Sequence, residues 1–543
     1  MGGRTDRHAT NLFMCFLKRA FYGLLLLCAC AGNGFATPLF IQSGTWIVDS
    51  ELNGLPGRGM AIDVQNQHLV MQVYNYNRAG RPTFHLASGP LNGLQFKGPL
   101  SQYRGGRFFG SGERVGWEDE VAGEVRIRFE SSTSGFIQFP GEPEVAMSRF
   151  RFDAEPEGFA LKPGSLEGWL AMEYDEQGSP YAAWHLELRQ GAGPDKKLSL
   201  TVASAPVIEK SMSTVNPCTL KKDGWIRCDV MFEQGESWQR PAVFEIRRSV
   251  NGLEGFITRT ALPNLIRKLR GNKYHFYDDA NSVDHRLVHT KNLHGKYTYV
   301  PEPGTWIVSS ELNGKPGRGM ALDWQNGVIV MQVYNYEENG DPSFHLGVGK
   351  VSDNPSSGTG TMDVTTRLKR YAGGRYFGSD GMSGHEDADV GEVQMVFLSP
   401  LKGRVKFPGE SWKDMEKFQF GYGEKNPQAL LGIWALQNVL DQRWWLELFK
   451  VEGKYALGQS VMCHFDDPDE KILEYRGTVR CVTNYQNEDF QQIFTFDFSP
   501  EYRAVPAFSY QRSYGKTHFP EKGFAVQVFD KNRTPIGFDS ILH

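Results

Sequence analysis

The chain has 543 residues, 40% apolar and 22% charged, and a formal net charge of −4. That composition excludes a disordered chain, and the length exceeds what one core accommodates, so two to four domains are expected. No long basic run is present, and nothing recommends a nucleic-acid partner.

The first element in chain order is a leader. Lys18 and Arg19 precede an apolar stretch from Ala20 to Ala31, and Gly34-Phe35-Ala36 is a small-x-small site. This order predicts a secretory signal peptide over 1–36, cleaved after Ala36. A start at Met14 gives a leader of more ordinary length. The alternative is a lipobox at Leu27-Cys28-Ala29-Cys30, with a lipid anchor at Cys30. The stretch is too short for a membrane span, and no later segment is long and apolar enough to be one. The expected destination is the periplasm, the outer membrane or the exterior. Cys218, Cys228, Cys463 and Cys481 remain in the mature chain. An even number in an exported chain predicts disulfides, most simply Cys218–Cys228 and Cys463–Cys481.

The mature chain is a duplication. Residues 44–90 and 304–350 align without gaps, with 32 of 47 positions identical. The match resumes eight residues out of step: Tyr103–Ser111 returns as Tyr371–Ser379, and Phe139-Pro140-Gly141-Glu142 returns as Phe407-Pro408-Gly409-Glu410. A fainter repeat follows each copy, with "WHLEL" at 184–188 answering "WWLEL" at 444–448. The expected order is module A over 37–155, module B over 160–260, a linker over 261–300, module A′ over 301–422 and module B′ over 428–543. The linker holds the basic amphipathic stretch "LPNLIRKLRGNK" and then a polar run with His285 and His289.

Module A reads as short strands near 44–50, 59–65, 68–77, 82–89, 123–130, 135–140 and 145–153, divided by Gly and Asn turn signals. The fold class is therefore all-β, a tandem of antiparallel meander barrels or sandwiches, four modules in two similar halves. A meander of about eight strands removes its exposed edges by closing on itself.

Gly44-Thr45-Trp46 on the first strand and Arg149 on the last resemble the calycin pattern of lipocalins and avidins, in which a last-strand cation lies across a tryptophan at one barrel end. The resemblance implies a latch of Trp46 with Arg149 and, in the second copy, of Trp306 with Lys417. A second resemblance is to exported bacterial repeat proteins with the pattern GxW…GxG…YxYxxxGxPxW. It is carried by Gly44-Thr45-Trp46, Gly57-Arg58-Gly59 and the run from Tyr74 to Phe84, where Phe84 replaces the usual Trp. It covers modules A and A′ and implies export and β structure, with no activity attached.

Motifs for a covalent nucleophile, a zincin, a P-loop or a dinucleotide fold are missing from the sequence. Asp466, Asp467, Asp469 and Glu470 lack EF-hand spacing and read as a solvated loop. His285 and His289 read as polar linker. Neither group implies a metal or a cofactor. Glu118 and Asp119, with Glu386 and Asp387, recur as paired acidic residues. Among residues common to both copies, Trp46, Met71 and Val73 read as core. Tyr74, Tyr76, His85 and Arg107, with Tyr334, Tyr336, His345 and Arg375, have two readings. One is ordinary packing; the other is a duplicated aromatic and cationic pocket for a ligand.

The leading functional expectation is a non-enzymatic binding or scaffold protein of the envelope. Its partner would be a glycan, another small polar molecule or an envelope protein. The alternatives are an enzyme acting on an envelope or extracellular polymer through the acidic pairs, and a structural component of a surface assembly.

Overall fold

The first copy alternates apolar residues along each short strand, and this pattern folds into a closed meander. In the computed structural model, module A is a closed barrel of eight antiparallel strands: Gly44–Val48, Gly59–Gln65, His68–Tyr76, Pro82–Pro90, Gln95–Arg104, Trp117–Phe129, Ser134–Gln138 and Val145–Arg149. The structure describes the chain from 41 to 529, except 66–67, 153–160, 162, 175–179, 192–196, 205–214, 223, 232–240, 278–300, 326, 354–361, 399–400, 421–425, 439–442, 466–478, 486–489, 497–503, 514–515 and 518–520. The leader, Cys30, His285, His289 and the acidic run beginning at Asp466 lie outside the described residues.

Period-two alternation directs Trp46, Met60, Ile62, Met71, Val73 and Phe129 into one apolar core inside this barrel. Trp46 is fully buried, and its indole N–H donates to the Gln42 carbonyl at 3.1 Å. Gln95–Arg104 is a strand that the alternation pattern hid. Gly98-Pro99 interrupts it, and Pro99 cannot donate to the ladder. Trp117–Phe129 starts earlier than its apolar end suggests, because its first half is charged, exposed and bulged against Gln95–Arg104.

Module A′ repeats this order in a second eight-stranded barrel, from Gly304–Val308 to Lys413–Lys417. Module B is a third, from Leu166–Tyr174 to Leu262–Tyr277. Its last strand corrects the expected linker. The stretch "LPNLIRKLRGNK" is not a connector but the strand that closes the barrel against Leu166–Tyr174. Its alternation places Leu269 in the core and leaves Ile266 exposed. Module B′ is a sheet whose two end strands, Arg443–Leu448 and Lys450–Glu452, are separated by Phe449 alone. Its strand order follows that of module B with the second strand split in two, and among the described residues the sheet is not closed by pairing between its ends. Among the described residues no helix is long and apolar enough to cross a membrane.

The cysteines pair locally. Cys218 and Cys228 face each other on adjacent strands of module B and form a disulfide, as do Cys463 and Cys481 in module B′. Each closes a short loop, so removing either pair by Cys→Ala is expected to cost roughly 3 kcal/mol in the chain-entropy account. Urea unfolding would measure this, and non-reducing peptide mapping would report the pairs.

Candidate functional site

From Met71 onward the strand His68–Tyr76 has no solvent-facing side. Met71, Val73 and Asn75 point into barrel A, while Gln72, Tyr74 and Tyr76 point outward, and all six are buried. What covers the outer face is barrel A′. Leu39–His543 is one compact unit, and within it the two copies pack outer wall to outer wall. Tyr74 and Tyr76 each meet the Phe344 ring at 5.6 Å. Phe84 reciprocally meets Tyr334 at 5.4 Å and Tyr336 at 5.6 Å. Such edge-on aromatic pairs add roughly 0.5–1.5 kcal/mol each beyond area burial.

The polar contacts follow the same exchange. Arg149 forks onto Asp323 of the other barrel at 2.8 and 3.1 Å, and Lys417 pairs with Asp63. Asp323 also accepts the Thr45 N–H at 2.8 Å, and Asp63 accepts the Thr305 N–H at 2.8 Å. Gln72 donates to the Thr305 hydroxyl at 2.9 Å and Gln332 to the Thr45 hydroxyl at 3.2 Å. Each of these bonds has its counterpart with the copies interchanged, which is the signature of an isologous contact.

The loops 104–111 and 372–379 are also exchanged. Phe377 packs on the core of barrel A, against His85 at 5.0 Å and Phe139 at 5.4 Å. Phe109 packs on the core of barrel A′, against His345 at 5.1 Å and Phe407 at 5.3 Å. Around each inserted ring lies a charged cluster. Buried Arg58 forks onto Glu142 at 2.8 and 3.0 Å, reaches Glu51 at 2.5 Å and lies 4.0 Å over the Phe139 ring. Arg375 of the other copy approaches Glu51 at 3.3 Å and Glu142 at 3.4 Å, while the Gly378 N–H donates to Glu142 at 2.9 Å. In barrel A′ the equivalent set is Arg318, Glu311 and Glu410, with Lys413, and Arg107 of module A approaches Glu311 at 3.5 Å.

These clusters set the titration of their members. Burial would raise the Glu142 carboxyl, but hydrogen bonds and charge from Arg58, with smaller help from Gly378 and Arg375, outweigh it and lower its pKa. Burial opposes Arg318 and Lys413 in the same way at Glu410, and its pKa falls to about 2. Desolvation alone lowers His85 to about 4, and desolvation with the nearby Arg370 charge lowers His345 to about 3. Burial raises the hydroxyl pKa of Tyr74, Tyr76, Tyr334 and Tyr336.

The eight residues singled out as a ligand pocket are thus not one group, and this corrects the expectation. In the ladder Tyr74 stands opposite Phe84, and His85 stands opposite Val73. His85 therefore points into the barrel, where its Nδ1 lies 3.0 Å from Asn75 Oδ1, while Tyr74 and Tyr76 point out of it. Arg107 and Arg375 serve the opposite copy. Among the described residues the eight do not share one face, and each of them meets the other copy.

The tryptophan latch is also corrected. Trp46 stands in register with Arg149, and Trp306 with Lys417. Among the described residues neither cation lies over its indole. The rings pack on Phe129 and Phe397, and the charges are drawn to Asp323 and Asp63. A carboxylate at contact distance in a buried site outweighs a ring face.

Sequence reasoning missed Glu51, Arg58, Asp63, Phe109, Glu142 and their counterparts. Their signal was present, since each is identical in both copies. Gly374 has a steric reason for its identity: a Cβ there would overlap the Tyr76 ring, as one at Gly106 would overlap Tyr336. Gly374→Ala is therefore expected to lower stability by roughly 1–3 kcal/mol. Gly112→Ala, where a Cβ meets nothing within 4 Å, is expected to change it by less than about 0.5 kcal/mol. Urea unfolding of the two variants checks the contrast.

The acidic pairs recur on exposed strands. Asp119 lies 3.8 Å from Arg104, Glu386 pairs with Lys369 at 2.6 Å and Asp387 with Arg370 at 2.7 Å. Among the described residues no group of three or more His, Cys, Asp or Glu is placed to hold a metal ion.

No family model matches the chain, and no curated protein matches it. Matching solved structures include a Helicobacter pylori beta clamp in complex with carprofen, at 7% identity, covering 67% of this chain and 92% of that one, with a TM-score of 0.08. Another is DNA polymerase III subunit beta from Borrelia burgdorferi, at 8% identity, covering 70% and 99%, also with a TM-score of 0.08. At that score the likeness carries no argument.

Proposed function

We propose that the chain is an exported, non-enzymatic scaffold or binding protein of the bacterial envelope. The observation that carries this reading is where the recurring residues lie. The aromatic and charged residues kept in both copies hold two barrels together and fill each other's barrel ends, rather than lining an open cleft. The outer walls of modules B and B′ and the free sides of A and A′ are then the surfaces offered to a partner, for which a glycan or an envelope protein remains our reading. Two disulfides fit an oxidising, extracytoplasmic compartment. The periplasm or the outer membrane is the proposed location.

Expression from the native leader tests the reading. The mature chain is expected to begin at Thr37, or at an acylated Cys30, and to leave the cytoplasm with both disulfides formed. On an array of envelope glycans and peptidoglycan fragments it is expected to retain a ligand without converting it. An intact leader on cytoplasmic protein would remove the export claim, and released product would favour the enzyme reading.

A further inference from the structure

We propose that the contact between A and A′ is exchangeable between chains, so that its further partner is a second copy of this chain. The A–B half of one molecule pairs with the A′–B′ half of another, and the reverse, giving a dimer with two copies of the same contact. This inference is independent of the reading under Proposed function.

Three observations carry it. First, the bonds across the contact join one half to the other, and none depends on both halves belonging to one chain. Arg149 with Asp323, Lys417 with Asp63 and the exchanged Phe109 and Phe377 loops all divide this way. The Asn251 side chain of module B donates to Asp323 at 3.2 Å and divides in the same manner. Second, among the described residues the halves are tied covalently only by the chain between Tyr277 and Gly304. Both disulfides lie within a module, Cys218–Cys228 in B and Cys463–Cys481 in B′. That connection is 26 residues long, with a maximal reach on the order of 85 Å. Third, a chain whose halves part uncovers Tyr74, Tyr76 and Phe84 on one side and Tyr334, Tyr336 and Phe344 on the other, faces buried in the closed form. Either intramolecular or intermolecular pairing covers them with identical contacts. Exchange of an identical element between copies is a low-cost route to a dimer. The connection raises the local concentration of the chain's own partner half to about the millimolar range, so dilute chains close on themselves and concentrated chains exchange.

Charge reversal gives the test. In R149D two carboxylates meet at the buried contact, and in D323R two cations meet. Exchange between these two variants restores an opposite-charge pair at one contact and leaves the native pair at the other. Co-expressed with different tags, R149D and D323R are expected to co-purify in equal amounts at twice the chain mass. R149D/D323R in a single chain is expected to be monomeric. Failure to co-purify beside a monomeric R149D/D323R overturns the proposal, as does equal self-association of R149D alone. A wild-type measurement stands if the reversed pair does not fold. Chains carrying donor and acceptor dyes are mixed, unfolded in urea with disulfides intact, and refolded concentrated or dilute. The concentrated sample is expected to hold an about tenfold larger dimer fraction with energy transfer. Monomer at both concentrations overturns the proposal.

Discussion

Asp323→Ala is expected to lower stability toward urea by roughly 3–5 kcal/mol, because it leaves the Arg149 guanidinium buried without its counter-charge. The side chains of both partners are about 1% exposed, so water cannot take the place of the carboxylate. The loss extends beyond the ion pair, since Asp323 also accepts the Thr45 N–H and the Asn251 side chain. Asp63→Ala is expected to act alike at Lys417 and Thr305. An equally acidic but exposed residue makes the control. Asp229 pairs with Arg227 at 3.2 Å on the surface, and Asp229→Ala is expected to cost less than about 1 kcal/mol.

A second large effect is expected on acidification. His85 and His345 titrate near 4 and 3 in the folded chain, against an ordinary value of 6.5. The fold therefore prefers them neutral. Their stabilising contribution is fully present above pH 6.5 and is lost as pH falls through the window from 6.5 toward 4 and 3. Displacement from 6.5 to about 4 corresponds to on the order of 3 kcal/mol per histidine. Glu142 and Glu410 act lower. Their depressed values contribute stability that is present above pH 4.5 and lost as pH falls below it, at Glu410 toward about 2. Glu187 opposes the histidines. Burial raises it to about 7, so its contribution is present below pH 4.5 and is lost as pH rises to 7. H85Q/H345Q separates these contributions. The stability difference between wild type and that variant, followed by urea unfolding from pH 7 to 4, is expected to shift by several kcal/mol against wild type on acidification. A difference that stays constant with pH would contradict the assignment.

The fold class was legible because period-two alternation and turn residues operate locally. Met71, Val73 and Trp46 declare a buried face without reference to anything distant. Gln95–Arg104 was hidden by Pro99, whose place in the ladder depends on neighbouring strands. The closing strand of module B was hidden by its charge, since Arg267 and Lys268 resemble solvated linker until the barrel places them. The site was legible as a set of identities but not as a geometry. Tyr74, Tyr76, His85 and Arg107 were visible as retained, yet ladder register puts His85 on the opposite face, and Arg107 serves the other copy. Sequence identity between repeats has two sources, a shared ligand and a shared contact with each other. The second was readable in one place: both faces of His68–Tyr76 are almost unchanged between copies, whereas a solvent-facing wall would have drifted. Nothing local could show that Arg149 answers Asp323, because the two lie 174 positions apart.

The residues retained in both copies hold the two barrels against each other. A double-mutant cycle between Arg149 and Asp323 tests this contact, with R149M, D323A and R149M/D323A compared by urea unfolding. The reciprocal contact predicts that the single costs exceed the double cost, with a coupling of roughly 1.5–3 kcal/mol. Costs that add within about 0.5 kcal/mol would mean that the two residues do not meet, and would contradict the account.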